Sequence, residues 1–139
     1  MAGNSGKFML ILLAAALCLL VACSKAQTSG ENGKEQSYNQ ITQEEAREMM
    51  EKDDGHIIVD VRRQDEYEAG HIPGSILIPN ESIGKEMPEE LPDKDQIILI
   101  YCRSGNRSKQ ASEKLAAMGY TNIYEFGGIN TWTGEIVKE

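Results

Sequence analysis

The chain has few of the residues that cross-link a protein or hold a metal. Three cysteines and two histidines are spread over 139 residues, and no two cysteines stand in a CxxC spacing. A structural zinc site therefore has no ligand set to draw on, and nothing in the sequence asks for a metal or any other cofactor. Positive charge is also scarce. Fourteen Lys and Arg face 22 Asp and Glu, for a net charge of −8. Nucleic-acid binding needs a basic stripe, so that class is excluded, and any anionic ligand has to be caught by local charge. Internal repeats and low-complexity tracts are missing from the globular part. The one long apolar run, residues 8–22, is 15 residues, where a transmembrane helix needs about 20. The length allows one domain of ordinary size.

The two ends of the chain differ in kind. Lys7 precedes the apolar run, and small residues lead up to Cys23. A basic start, an apolar stretch and a cleavage site form the pattern of a secretory signal. The tetrapeptide Leu20-Val21-Ala22-Cys23 resembles a bacterial lipoprotein lipobox. That resemblance implies cleavage before Cys23 and lipidation of Cys23 itself, giving an exported protein anchored to a bacterial membrane with its domain on the extracytoplasmic side. An uncleaved anchor and a soluble secreted form are the alternatives. Several acyl chains on one residue hold firmly where a single chain is marginal. Residues 1–22 are thus read as signal peptide and 23–37 as lipidated start and tether. The tether is rich in Gly, Ser, Gln and charge, with too little to bury to offset its ordering entropy, and it reaches roughly 20 Å on average. With Cys18 lost and Cys23 lipidated, Cys102 is the only free thiol, and no internal disulfide can form.

From residue 38 the pattern is globular. Thr42 and Glu45 form a capping box for a helix over 43–52 with Ala46, Met49 and Met50 inward. Residues 57–61, a β-branched run, read as a buried parallel strand. A short helix over 64–69, a turn at His71-Ile72-Pro73-Gly74 and a strand over 75–78 follow. Residues 81–91 predict one irregular helix. Residues 96–101 are the clearest strand, 108–118 a helix, 122–126 a strand, and a short helix carries Trp132. Strands alternating with helices give an α/β class with a largely parallel sheet, and monomer is the default.

The loop Cys102-Arg103-Ser104-Gly105-Asn106-Arg107 carries the chemistry. A buried strand delivers Cys102 to the carboxyl edge of the sheet, where ligands of open α/β sheets bind. A helix starts just beyond, and its first amides and dipole favour negative charge. Gly105 lets the loop curl so that successive amides form an anion-binding nest. Arg103 and Arg107 add two permanent forked charges. Every one of these favours thiolate over thiol. A buried structural Cys is the competing reading, but it has no use for two arginines and a glycine within five residues.

Four blocks then resemble the single-domain rhodaneses, or sulfurtransferases: Asp60-Val61-Arg62; Glu66-Tyr67 with Gly70-His71-Ile72-Pro73-Gly74-Ser75; Tyr101-Cys102-Arg103-Ser104-Gly105-Asn106-Arg107-Ser108; and Gly127-Gly128-Ile129 with Trp132. The resemblance implies a rhodanese-like fold over residues 38–139, a small largely parallel sheet with helices on both faces. It also implies a reaction in two half-steps. Cys102 takes the outer sulfur of thiosulfate or a polysulfide as a persulfide, and a thiol or cyanide takes it away. Arg103, Ser104, Gly105, Asn106 and Arg107 bind the donor. A persulfide carrier, or an anion- or partner-binding module with little turnover, is the alternative. Related phosphatases and arsenate reductases use Cys-x5-Arg; the Cys-x4-Arg loop here favours sulfur over phosphate.

Other residues read as structural. Asp60 and Arg62 suggest an ion pair, with Glu66 or Asp65 as further partners for Arg62. His71 is expected to fix its turn by hydrogen bonding, Trp132 to sit in the core and Tyr101 to pack beside the loop. His56, at a strand start, carries no role.

Overall fold

A computed structural model of the chain describes residues 37–139. Up to residue 36, the segments read as signal peptide and tether, with Cys23, lie outside the described residues. Five strands form one sheet: β1 (Asn39–Gln40), β2 (Ile57–Asp60), β3 (Ser75–Leu77), β4 (Ile98–Cys102) and β5 (Ile123–Gly128). Their order is β1-β5-β4-β2-β3, and every neighbouring pair is parallel. Three helices accompany them: α1 (Gln43–Met50), α2 (Gln64–Ala69) and α3 (Asn106–Ala117). This is the α/β architecture expected from the alternation of elements.

Period-two alternation along the central strand divides the core. Ile98, Ile100 and Cys102 face one way and pack with Ala111 and Leu115 of α3, together with Val59, Val61 and Ile123. Leu99 and Tyr101 face the other way and pack with Ala46 of α1, Ile58 and Phe126. All five residues of β4 are buried, which is why that strand reads as an unbroken apolar run. Helices thus cover both faces, as expected.

Local chemistry starts and stops the helices. Thr42 Oγ1 accepts the Glu45 N–H, and Glu45 accepts the Thr42 N–H at 2.7 Å, so the capping box closes. Met49 and Met50 are partly buried against the α1-side core. The helix ends at Met50, two residues earlier than expected.

Two expectations are corrected, and one strand is new. No helix fills residues 81–91. A single 3₁₀ turn, Asn80–Ser82, is followed by irregular chain in which only Ile83 and Leu91 are buried. Gly84 and Pro88 deprive that segment of continuous helix, and Tyr120 Oη pins it by donating to the Leu91 carbonyl at 2.6 Å. Strand β1 was not foreseen: Asn39 and Gln40 are exposed and polar, and they enter the sheet only by pairing with Tyr124 and Glu125. Finally, the segment expected to be a short helix carrying Trp132 is a 3₁₀ turn, Ile129–Thr131, with Trp132 just past it. Trp132 is half-buried, tilted against Phe126 and under the Arg47 guanidinium.

Candidate active site

Cys102 closes β4 at the carboxyl edge of the sheet and is 1% exposed. The chain then turns sharply. Gly105 adopts φ 101°, a left-handed conformation that side-chain-bearing residues avoid, and serves as the N-cap of α3. The turn aims the Gly105 N–H at the Cys102 sulfur, 3.0 Å away. Helix α3 begins at Asn106, two residues before the expected start, so the loop is shorter. Ser108 Oγ lies 3.5 Å from Cys102 Sγ.

Strand β5 is shaped to receive this loop. Between Ile100 and Cys102 the register of β4 against β5 slips, because Ile100 faces Glu125 and Cys102 faces Gly128. The extra residue on β5 is a bulge, a device that bends a strand next to a site. It brings Gly128 against the loop backbone. A Cβ at Gly128 would sit 2.1 Å from the Arg103 carbonyl oxygen, so only glycine fits. The same carbonyl accepts the Asn130 N–H at 3.1 Å.

The two loop arginines part company. Arg103 is exposed. Arg107 is half-buried and forks onto Glu66 of α2, with Nη1 donating to Oε2 at 2.7 Å and Nη2 to Oε1 at 2.9 Å. The Arg107 hydrogen bonds hold the Glu66 carboxyl down to about 2, against the opposing effect of its burial. The same pairing raises Arg107, with a smaller contribution from Cys102. Ser104 and Asn106 are exposed. Ser104 and Gly105 line a cleft of about 420 Å³ with Gln43, Lys109, Glu125 and Asn130.

Beside the loop, at the end of β2, Arg62 forks onto Asp60, Nη2 to Oδ2 at 2.7 Å and Nε to Oδ1 at 3.0 Å, and also donates to the Gly70 carbonyl. Burial pulls the Arg62 guanidinium down, but its hydrogen bonds and charge contact with Asp60 more than offset this, and the net direction is up. The expected Asp60–Arg62 pair is present, while Glu66 and Asp65 turn to Arg107 and Arg63 instead. Tyr101 Oη accepts the Ile72 N–H at 3.1 Å and meets Ser75 Oγ at 3.1 Å, tying β4 to the His71–Ser75 turn. Burial first, then the Asp60 charge, pushes its phenol up. His71 stacks on Tyr67 at 3.7 Å, and its Nδ1 lies 2.9 Å from the Tyr67 carbonyl, the turn-fixing role expected of it.

One carboxylate of the site was not foreseen. Glu125 is 3% exposed; its Oε1 accepts from Ser108 Oγ at 2.6 Å and from the Gly127 N–H at 2.9 Å. A signal existed. Ile123 and Glu125 share a face of β5, so an acid occupies a position whose parity belongs to the core. Glu66 stood in a motif block, but its partner 41 positions away could not be read from spacing.

A buried thiol with an N–H on its sulfur, at the mouth of a helix and beside an exposed guanidinium, can act as a nucleophile toward an anion. Comparisons with known proteins agree in kind. The chain is 37% identical over 71 residues to the thiosulfate sulfurtransferase PspE of Escherichia coli, covering 51% of this chain and 68% of that protein. It is 34% identical to the thiosulfate sulfurtransferase GlpE of Pseudoalteromonas translucida, over 69% of this chain and 90% of that one. The crystal structure of a rhodanese-like domain protein from Staphylococcus aureus superposes with a TM-score of 0.62 at 32% identity, over 73% of this chain and 98% of that one. Residues 42–135 match the model of the rhodanese-like domain. With the parallel sheet, the Cys102 loop and the glycine-lined bulge in place, the chain belongs to the rhodanese-like domain family.

Proposed function

We propose that the protein is a sulfurtransferase in which Cys102 carries sulfane sulfur as a persulfide between a small anionic donor and a thiophilic acceptor. The Cys102 thiolate attacks the outer sulfur of thiosulfate or a polysulfide. With thiosulfate the S–S bond breaks, its electron pair leaves with sulfite, and the persulfide remains. A thiol or cyanide then attacks the outer sulfur, and the bonding pair returns to Cys102. The Gly105 N–H at 3.0 Å from the sulfur is the observation that carries this reading. It stabilises negative charge where the reaction begins and ends, as an oxyanion-hole donor does. Arg103, exposed at the loop, supplies the charge that holds the donor. Arg107 contributes through its remaining N–H groups while anchored to Glu66. Ser104, Gly105 and Asn106 complete the donor cradle.

Mixing with thiosulfate is expected to release one equivalent of sulfite and add the mass of one sulfur to the protein at Cys102. Cys102→Ser removes both. A wild-type protein giving neither product with thiosulfate or polysulfide overturns the proposal.

The burial of Cys102, at 1% exposure, favours a second reading, a carrier that shields its persulfide and turns over slowly. Sulfite release that stops at one equivalent when cyanide or a thiol is present distinguishes carriage from turnover.

The same proposal places the domain outside the cytoplasm, tethered through lipidated Cys23. The support is the basic start, the apolar run and the Leu20-Val21-Ala22-Cys23 pattern. A mature N-terminus that begins at Cys23 and carries acyl mass is the expected result; a protein retaining Met1, or one soluble without detergent and unmodified at Cys23, removes this part.

A further inference from the structure

We infer that Glu125, acting through the Ser108 hydroxyl, is the proton reservoir of Cys102, so that thiol and carboxyl share one proton. This rests on the reading of Cys102 as the sulfur-carrying nucleophile. Glu125 is a positioning residue, because it reaches the sulfur only through Ser108.

The hydrogen-bond geometry sets the direction of the relay. Ser108 has one hydroxyl hydrogen and three acceptors within 3.5 Å: Glu125 Oε1 at 2.6 Å, the Gly105 carbonyl at 3.0 Å and the Gly127 carbonyl at 3.5 Å. The shortest lies in the range of an O–H···O⁻ bond, so the hydrogen belongs to Glu125. The lone pairs of Ser108 Oγ are then free to accept from the Cys102 S–H at 3.5 Å. The Gly127 N–H, delivered by the β5 bulge, holds Oε1 in place at 2.9 Å.

Charge explains why the proton must be shared. A carboxylate and a thiolate bridged by one hydroxyl repel, so once one of them is charged the other charge forms less readily. Proton transfer from Sγ to Ser108 Oγ, with the Ser108 proton passing to Glu125 Oε1, converts thiol and carboxylate into thiolate and carboxylic acid. Net charge is unchanged, so no proton has to come from solvent. The thiolate attacks the donor's outer sulfur, and sulfite leaves with the bonding pair. When an acceptor thiolate removes the sulfur, the S–S pair returns to Sγ and the proton returns from Glu125 by the same route.

The charged surroundings of the pair are few. From α3, Lys109 shares the cleft lining with Glu125, and Arg107 senses Cys102 but is paired with Glu66 of α2. Arg103 of the loop is exposed. The segment of β1 and the start of α1 that line the cleft, Gln40 to Gln43, carry no titratable side chain.

Two groups sharing a proton titrate as a pair. Between its two macroscopic steps the thiolate fraction does not change with pH. The test is the rate of Cys102 alkylation by iodoacetamide in the full chain, from acid to alkaline pH. In wild type the rate is expected to rise in two steps with a plateau between. Glu125→Gln and Ser108→Ala are expected to give one step, with the rate falling about tenfold for each pH unit below it, as a lone thiol does. A purely structural role for Glu125 would lower the melting temperature and leave the shape of the profile unchanged. Superimposable profiles for wild type and Glu125→Gln overturn the relay. Should Glu125→Gln not fold, Ser108→Ala decides alone, and a two-step profile in that variant overturns it equally. The outcome is separate from sulfur transfer: a wild type that takes sulfur from thiosulfate but titrates in one step loses only the relay. One that titrates in two steps but takes no sulfur loses only the transfer.

Discussion

The carboxyl ends of the adjacent strands β2 and β4 carry similar residues and use them differently. Each places an acidic group, an arginine and a hydroxyl near a strand end. At β2, Arg62 and Asp60 are both buried, Asp60 at 0% exposure, and their forks close on each other and on the Gly70 carbonyl. At β4, the Gly105 N–H points at a sulfur and Arg103 points into solvent. The first end is a closed knot that holds the His71–Ser75 turn in place with Tyr101. The second leaves the Arg103 guanidinium uncommitted, and that is what a ligand can use. Arg107 stands between the two modes, because it belongs to the loop but is held by Glu66 in the manner of Arg62.

Breaking the closed end has the largest expected effect. Arg62→Ala strands a buried Asp60 carboxylate and should cost ~3–5 kcal/mol of stability, measured by urea unfolding. Next is the bulge that joins β5 to the loop. Gly128→Ala forces a methyl group onto the Arg103 carbonyl and should cost about 1–3 kcal/mol, with loss of sulfur loading when loading by thiosulfate is followed by mass.

The Glu66–Arg107 pair gives an intermediate effect with a pH signature. The folded protein holds the Glu66 carboxyl near 2 against an ordinary 4.5. A depressed carboxyl contributes stability above its unfolded value and loses it as pH falls. Wild type should therefore exceed Glu66→Gln by on the order of 2 kcal/mol at neutral pH. The difference should shrink between pH 4.5 and about 2. A gap that stays constant over that window, in denaturation curves at a series of pH values, would show that the pair is not the source.

The smallest effect on stability belongs to the open end. Arg103→Ala should leave stability within about 0.5 kcal/mol and raise the KM for thiosulfate roughly tenfold, the loss of one charge-assisted contact. Equal damage to stability from Arg103→Ala and Arg62→Ala would erase the distinction between the two ends.

Much of this was legible before the fold. Strand β4 announced itself because both its faces are buried, and the α1 capping box because its two partners sit three positions apart. Strand β1 was not legible, since two exposed polar residues enter the sheet only through the partner strand. Residues 81–91 misled because their two buried anchors, Ile83 and Leu91, are held by the core and not by local periodicity.

By itself the sequence determined that Cys102 closes a buried strand and what kind of loop follows it, because strand, glycine and helix start are consecutive and their effects are local. Only the tertiary structure decided which of the two arginines is uncommitted, and that a buried glutamate stands behind the serine next to the sulfur. Glu66 lies 41 positions from Arg107, and Glu125 lies 17 from Ser108. Groups so far apart along the chain are brought to hydrogen-bond distance by the order of strands in the sheet, and nothing in local spacing encodes that order.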